Sequence, residues 1–389
     1  MRAVPLLVAA LLLAGCTAQH DAAVPRPDPV VPSTGPASAP ASASASAPPS
    51  PSAARTVAPF ATGLPAGGPV PAGFSPLSFS FVSPRTGWVL GDAPCDDPAC
   101  ASLLLTRDGG RTWRGVPAPE HPTTSAVATA STVRAVRFAS LRDGFAFDSV
   151  LSATHDGGAT WHDVPLPGRV QALETAAGRV HVVVAVCSAA GCRSALYTGA
   201  SSSDDLRPVP GVDLPGDAGA GLAVHGRHVY VLRPGTDDGR TDPALYAGQD
   251  GAHYALRRTP CTGEYRFDAA VAASDDTDLV LVCGSDVGAG MQRKHVYTSV
   301  DAGQHWTAAG DPPPVSGTLL AATRKGTFLG NTRTGVDVTR DGRTWTHAVG
   351  DDATTQVGFV TDDLGFFLQD ALQVTRDAGR TWSRVRFSR

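Results

Sequence analysis

A short segment that recurs five times constrains this chain more than any other feature. It reads TRDGGRTW at residues 106–113, and near-copies stand at 154–161, 298–306, 339–345 and 375–382. Each copy, called a box below, leads from an Asp through Gly and small residues to a Trp. The pairs are Asp108 and Trp113, Asp156 and Trp161, Asp301 and Trp306, Asp341 and Trp345, and Asp377 and Trp382. Regular recurrence indicates a fold assembled from repeated units.

The spacing of the boxes predicts how many units there are. Trp113 and Trp161 are 48 residues apart, whereas Trp161 and Trp306 are 145 apart, about three such periods. Two degraded boxes lie in that interval, around Leu206 and Tyr254. The last two boxes follow at intervals of 39 and 37 residues. The sequence therefore predicts seven units.

Each unit contains four short apolar segments separated by turn residues. In the first unit, PLSFSFV alternates polar and apolar residues, WVLGD returns, SLLLT leads into the box and WRGVP leaves it. Four-stranded units repeated around an axis form a β-propeller. We predict an all-β fold, a seven-bladed β-propeller with box hairpins, over residues 69–389.

The boxes resemble the Asp-box, or bacterial neuraminidase repeat, whose pattern is Ser/Thr-x-Asp-x-Gly-x-Thr-Trp. Together with second strands that begin GW or GF, they resemble exported Asp-box propellers related to photosystem II assembly factors, sortilins and sialidases. The resemblance implies that each box forms the hairpin between the third and fourth strands, away from active sites. We therefore expect the Asp carboxylates to accept backbone hydrogen bonds and the Trp rings to pack between sheets. The box at 339–345 is one residue short, which predicts a different turn.

The N-terminus predicts export. Residues 1–16, MRAVPLLVAALLLAGC, have one basic residue and a short apolar run, as a signal peptide does. The ending LAGC resembles the lipobox of bacterial lipoproteins, which implies that Cys16 carries lipid; an ordinary signal peptide with a chance Cys is the alternative. Residues 17–68 are rich in Ala, Ser and Pro, which predicts a disordered tether. We expect the lipid to be the only membrane attachment, on the extracytoplasmic face.

Six further cysteines lie in the predicted propeller, where an exported location permits disulfides. Six cysteines allow 15 pairings, and short loops cost least to close. The favoured pairs are Cys95 with Cys100, Cys187 with Cys192, and Cys261 with Cys283. The cysteine spacings are too isolated to suggest a zinc site, and we predict neither a metal nor a cofactor.

A formal net charge of −4 disfavours nucleic acid as a partner. Sialidases share the box, but their family site needs an arginine-bearing segment before the first box, and PVPAGFSPLSF contains no arginine. The only weak catalytic candidates are Glu264, Tyr265 and Arg266, in CTGEYRF. The acidic loops CDDPAC and GTDDGRTDP suit another glycosidase or calcium, or are simply solvated.

We predict a monomeric, non-catalytic, surface-anchored lipoprotein that binds an envelope protein or a glycan through a rigid propeller face. The alternative is an exo-glycosidase of sialidase type.

Overall fold

The computed structural model describes residues 63–95, 100–124, 131–189, 191–216, 219–235, 241–286, 292–314, 317–331, 335–350 and 353–387. Its strands form seven antiparallel sheets, each built from consecutive strands, which confirms the predicted seven-bladed β-propeller. The degraded units around Leu206 and Tyr254 are the third and fourth blades. Over these ranges, no helix is both long enough and apolar enough to cross a bilayer.

The strands have the following bounds. Blade 1 contains β1 (Ser75–Phe81), β2 (Gly87–Ala93), β3 (Cys100–Thr106) and β4 (Arg114–Val116). Blade 2 contains β5 (Val133–Phe138), β6 (Gly144–Asp148), β7 (Leu151–Thr154) and β8 (His162–Asp163). Blade 3 contains β9 (Arg169–Ala176), β10 (Arg179–Ser188), β11 (Gly191–Ala200), β12 (Arg207–Pro208) and an added β13 (Leu214–Pro215).

Blade 4 contains β14 (Gly221–His225), β15 (His228–Arg233), β16 (Ala244–Gln249) and β17 (Ala252–Arg258). A single-turn 3-10 helix, η1 (Gly263–Tyr265), precedes blade 5, which contains β18 (Phe267–Ala273), β19 (Leu279–Gly284), β20 (Lys294–Ser299) and β21 (Thr307–Ala308). Blade 6 contains β22 (Leu319–Thr323), β23 (Gly326–Asn331), β24 (Gly335–Thr339) and β25 (Trp345–Val349). Blade 7 contains β26 (Gln356–Phe359), β27 (Gly365–Leu368), β28 (Leu372–Thr375) and β29 (Ser383–Arg384).

Because the strands of each blade are antiparallel, the propeller has two distinct faces. One, the box face, carries the turns between first and second strands and between third and fourth strands, and all five boxes lie there. The other, the loop face, carries the hairpins between second and third strands and the connections between blades. On the box face the two turns of a blade are tied together, as where the Gly109 N–H donates to the Arg85 carbonyl at 2.8 Å.

The core consists of layers between adjacent blades, and each box Trp lies in one of them. Trp113 belongs to the layer that contains Phe366 of blade 7, and Trp161 packs against the layer that contains Trp88 of blade 1. Trp306, Trp345 and Trp382 each lie likewise between their own blade and the preceding one. The Trp rings thus supply large apolar surfaces where two sheets meet.

The first strands of the blades lie side by side around the axis, and polar side chains bind their unpaired backbone groups. Ser80 Oγ accepts a hydrogen bond from the Phe138 N–H at 2.8 Å, which links blade 1 to blade 2. The ring closes where Gln356 accepts from the Phe79 N–H and donates to the Phe79 carbonyl, both at 3.1 Å. No strand of the described residues is exchanged between blades, and side chains such as Gln356 link blade 7 to blade 1.

Cys16, the signal sequence and most of the predicted tether lie outside the described residues. Contacts with blade 1 begin before residue 69. Arg107 Nη2 donates to the carbonyls of Leu64 and Pro65, at 3.1 and 2.6 Å, and Gly68 pairs with Gly115.

Candidate functional site

The box carboxylates are bound within their own turns. Asp108 Oδ1 accepts hydrogen bonds from the N–H groups of Arg111 and Thr112, at 3.0 and 2.9 Å, and its Oδ2 accepts from the Thr112 hydroxyl at 2.7 Å. Partial burial opposes ionisation, but the bonds from Thr112 and Thr106 outweigh it and lower the pKa of Asp108. Asp156 repeats this arrangement in blade 2. Both carboxylates therefore serve the hairpin.

The box that lacks one residue has a tighter turn. Asp341 accepts from the N–H groups of Arg343 and Thr344, at 2.8 and 2.7 Å, two and three positions further along the chain. In the full-length boxes the corresponding donors are three and four positions away. The strand that follows starts at Trp345 itself, one residue earlier than in the other boxes. The deletion is thus absorbed by the turn, and the carboxylate keeps its role.

The disulfides of the described residues stabilise the loop face. Cys95–Cys100 and Cys187–Cys192 each close a hairpin between a second and a third strand. Cys261–Cys283 joins the connection between blades 4 and 5 to β19, and both of its cysteines are fully buried. These are the pairs that short loop closure favoured.

The Cys261–Cys283 bond supports a group of five side chains that we call the Tyr265 cluster: Glu264, Tyr265, Arg293, His295 and Asp311. The Tyr265 and His295 rings have centroids 3.8 Å apart, and the Arg293 guanidinium lies 5.8 Å from the Tyr265 centroid. Arg293 pairs with Glu264 at 3.3 Å, and His295 Nδ1 lies 2.8 Å from Asp311 Oδ2. The cluster is an aromatic surface edged by charges of both signs.

A buried polar network holds the strand that carries this cluster. Lys294, between Arg293 and His295, is fully buried, and its Nζ donates to Asp268 Oδ2 and Thr318 Oγ1, both at 2.6 Å. Burial lowers the pKa of Lys294, and Asp268 opposes the shift. Thr318 belongs to the segment leading into blade 6, so the network also joins blades 5 and 6. A rigid base of this kind fixes Arg293 and His295 on the loop face.

The three weak catalytic candidates lie together in sequence but face different partners. Tyr265 ends η1 and contacts His295, while Glu264 faces Arg293. Arg266 Nε donates to the Gly263 carbonyl at 2.7 Å, and its guanidinium approaches Asp242. A sialidase-like site would instead pair the Tyr with the Glu beside arginines that bind a substrate carboxylate.

The acidic loops are only partly visible. Residues 96–99 of CDDPAC and 236–240 of GTDDGRTDP lie outside the described residues. Of the flanking acids, Asp92 accepts a hydrogen bond from the Thr123 hydroxyl, and Asp242 faces Arg266. The calcium and glycosidase alternatives for these loops therefore stay predictions.

The hollows of the propeller do not enlarge the candidate site. Near the axis a cavity of about 20 Å³ is lined in part by Arg137 and Glu174, whose side chains pair at 3.1 Å. Burial raises the pKa of Glu174 to about 7, and Arg137 opposes the rise. This volume suits a water molecule rather than a ligand. A groove of about 420 Å³ beside blade 1, lined by residues such as Pro69 and Pro71, contains no ionisable side chain.

Sequence reasoning did not identify the polar groups that form between blades. On the box face, His155, His162 and Asp204 come together between blades 2 and 3. The two histidines are seven positions apart, and Asp204 belongs to a degraded box. The sequence did contain a sign of this group: His155 occupies the variable position of the second box, and His162 follows its Trp directly.

The sequence matches no protein-family model and no curated protein. Solved structures do match. YCF48 from Cyanidioschyzon merolae has a TM-score of 0.50 at 15% identity, over 80% of this chain and 98% of that one. The β-propeller domain of the trilobed protease from Pyrococcus furiosus gives 0.53 at 8% identity, over 82% and 97%. A puromycin-hydrolysing peptidase of Mycobacterium tuberculosis gives 0.53 at 15% identity, over 80% and 52%.

These similarities establish the propeller fold. Identities this low carry no function, because one fold supports many unrelated activities. The chemistry of the site is therefore the basis for the proposed function.

Proposed function

We propose that this chain is an exported lipoprotein of the Asp-box propeller type that binds an envelope protein through its loop face, without catalysis. The binding site in this proposal is centred on the Tyr265 cluster. The box face provides structural support, and lipid on Cys16 places the propeller at the membrane.

The observation that carries the proposal is the Tyr265–His295 contact on a cross-linked base. Tyr265 is half-buried and packs on the core between blades 4 and 5, so its ring is held in place while part of the side chain stays accessible. Tyr and Arg are enriched among residues that dominate binding energy at protein interfaces. The Cys261–Cys283 bond restricts the segment before binding, which lowers the entropic cost of association.

The charges of the cluster favour a polypeptide partner. Glu264 and Arg293 are each 65% exposed, and Asp311 is exposed beside His295. A protein segment that places an apolar side chain on the Tyr265 ring, with flanking charges of both signs, satisfies all of these groups. Charges of both signs at the rim contribute mainly specificity and association rate.

A cross-linking experiment tests the proposal. Benzoylphenylalanine is placed at position 262, an exposed site beside the cluster, and in a matched chain at position 300, where Val300 is 77% exposed on the box face. Irradiation of cells should give a protein adduct from position 262 and none from position 300. Tyr265→Ala, added to the first chain, should abolish the adduct.

Three results would contradict the proposed function, each in a different way. An adduct that contains carbohydrate and no polypeptide would move the proposal to a glycan. Equal adducts from both positions would argue against a specific loop-face site. Hydrolysis of a fluorogenic sialoside by the wild-type chain, abolished by Tyr265→Phe with Glu264→Gln, would establish an enzyme instead.

A further inference from the structure

Three side chains of the kinds that bind metal ions, His155, His162 and Asp204, lie together on the box face, opposite the Tyr265 cluster. His155 Nε2 lies 3.2 Å from Asp204 Oδ1, and His162 Nε2 lies 2.8 Å from Asp204 Oδ2. One ligand atom from each of the three residues lies within 4.8 Å of the others. The group connects blade 2, which supplies both histidines, to blade 3.

The local structure explains why these atoms converge. His155 lies in the second box between Thr154 and Asp156, whose mutual hydrogen bonds hold the turn. His162 begins β8, just after the box Trp, so both histidines project from one hairpin. Their ring centroids are 5.7 Å apart. Asp204 comes from the turn between the third and fourth strands of blade 3, which is the neighbouring turn on the same face.

The orientation of His155 is set by a second carboxylate. Its Nδ1 lies 2.9 Å from Asp143 Oδ1, and Asp143 Oδ2 accepts a hydrogen bond from the Ser140 hydroxyl at 2.8 Å. When Nδ1 of a neutral imidazole donates a proton to a carboxylate, Nε2 presents a lone pair. In that tautomer Nε2 of His155, which lies 3.2 Å from Asp204 Oδ1, has a lone pair with which to bind a metal ion. A metal-binding histidine is commonly supported in this way by a carboxylate on its other nitrogen.

The separations suit a small ion. Ligand atoms about 2.0–2.1 Å from a tetrahedral zinc ion lie about 3.3 Å from one another. His155 Nε2 is 3.2 Å from Asp204 Oδ1 and His162 Nε2 is 2.8 Å from Asp204 Oδ2, so each imidazole approaches a different oxygen of the same carboxylate. One ligand atom from each of the three residues lies within 4.8 Å of the others, which is close enough for one ion to contact all three after small side-chain movements. Rotation of the exposed Asp204 side chain, which is 44% accessible, provides the small adjustment.

We propose that His155 Nε2, His162 Nε2 and a carboxylate oxygen of Asp204 bind a divalent transition-metal ion of the zinc type, with Asp143 as the supporting carboxylate. Two imidazoles and one carboxylate favour Zn²⁺, Co²⁺ or Ni²⁺ over Ca²⁺ and Mg²⁺, which prefer oxygen ligands alone. The ligands are partly exposed, so a fourth position faces solvent and takes water or a ligand atom from another molecule.

A second group on the same face is a poorer candidate. His225, Asp275 and Asp276 also lie close together, but they offer one imidazole and two carboxylates. His225 Nδ1 is 2.8 Å from Asp276 Oδ1, and His228 Nδ1 approaches the same oxygen at 3.6 Å. The two histidines that blade 2 supplies therefore distinguish the first group.

Zinc titration of the purified full chain against a chromophoric chelator tests the site. We expect one Zn²⁺ per chain at this site, affinity at least tenfold weaker in His162→Ala, and affinity about 10–100-fold weaker in Asp143→Asn. His162 is exposed, so its removal should leave the propeller folded, which circular dichroism checks. His305→Ala is the matched control: it removes an exposed His–Asp pair in the box of blade 5 and should leave zinc affinity unchanged.

The visible absorption spectrum of bound Co²⁺ provides a second readout, because it reports coordination of the ion directly and does not depend on the stability of the fold. The Co²⁺-loaded wild-type chain should show the visible absorption bands of tetrahedral coordination, and His162→Ala should lose them. Equal zinc affinity in the wild type, His162→Ala and Asp204→Asn would overturn the proposal. So would a loss of affinity in His305→Ala as large as that in His162→Ala.

Discussion

At the scale of single residues, the recurring Asp acts as the acceptor that organises a turn. Gly109 and Gly110, which follow Asp108, both have positive φ, at 74° and 83°. In the boxes of blades 5 and 7 the first of these positions is an alanine, Ala302 or Ala378, each at 58°. A left-handed alanine costs about 1 kcal/mol or more, so the hydrogen bonds to the carboxylate must hold these turns against that strain.

The box carboxylates should make the propeller sensitive to acid. Hydrogen bonds from the Thr381 hydroxyl and N–H lower the pKa of Asp377 to about 2. A carboxyl whose folded pKa lies below the unfolded value of about 4 stabilises the fold above that value. This contribution is lost as the pH falls from about 4 to about 2. Urea unfolding from pH 6 to pH 2.5 should therefore show stability falling in that window.

Asp377→Asn isolates the effect, because it keeps an acceptor oxygen but does not titrate. Its stability should be lower than wild type at pH 6, and the two curves should converge at acid pH. Asp370→Asn, at an exposed turn position, should follow the wild-type curve throughout. A constant difference between Asp377→Asn and wild type at every pH would show that this carboxyl titrates normally.

At the scale of strands, the first strand of each blade presents backbone groups on the edge that no strand covers. Unpaired edge groups are costly when buried, and polar side chains from the neighbouring blade bind several of them here. Ser78 accepts from the Val136 N–H at 3.1 Å, and the Thr175 hydroxyl donates to the Phe138 carbonyl at 3.3 Å. Side chains thus replace strand pairing between blades.

Gln356→Leu tests whether one such side chain closes the ring. The substitution leaves the buried N–H and carbonyl of Phe79 without the partner seen here, which should lower the free energy of unfolding by roughly 2–4 kcal/mol. Chemical denaturation measures the change. Gln249→Leu alters an exposed glutamine at the end of β16 and should change stability little. Equal effects from the two variants would mean that closure depends on the apolar layer alone.

At the scale of the whole molecule, the two faces have different chemistry. The loop face carries the disulfides and the Tyr265 cluster, whereas the box face carries the carboxylate turns and the His155–His162–Asp204 group. A propeller allows this separation because its loops vary while the sheet layers between them stay alike. A partner on one face and an ion on the other would not compete.

The proposed anchor makes a prediction at the same scale. Cys16→Ser should move the protein from the membrane fraction to the soluble fraction and abolish incorporation of labelled fatty acid. The matched control is Cys187→Ser with Cys192→Ser, which removes a pair of propeller cysteines and should leave the protein in the membrane fraction. Retention of Cys16→Ser in the membrane, with no label in the wild type, would contradict the anchor.

The sequence alone determined the repeat and therefore the fold. Apolar alternation, turn residues and the Asp-to-Trp spacing are local signals, and each acts within one blade. The disulfide pairs were also favoured from the sequence, because their cysteines are close along the chain. Only the tertiary structure decided what meets across blades. Gln356 reaches Phe79 from 277 positions away, and Asp204 meets His155 from the next blade. Such contacts depend on how whole sheets are arranged around the axis, and no local pattern encodes that geometry.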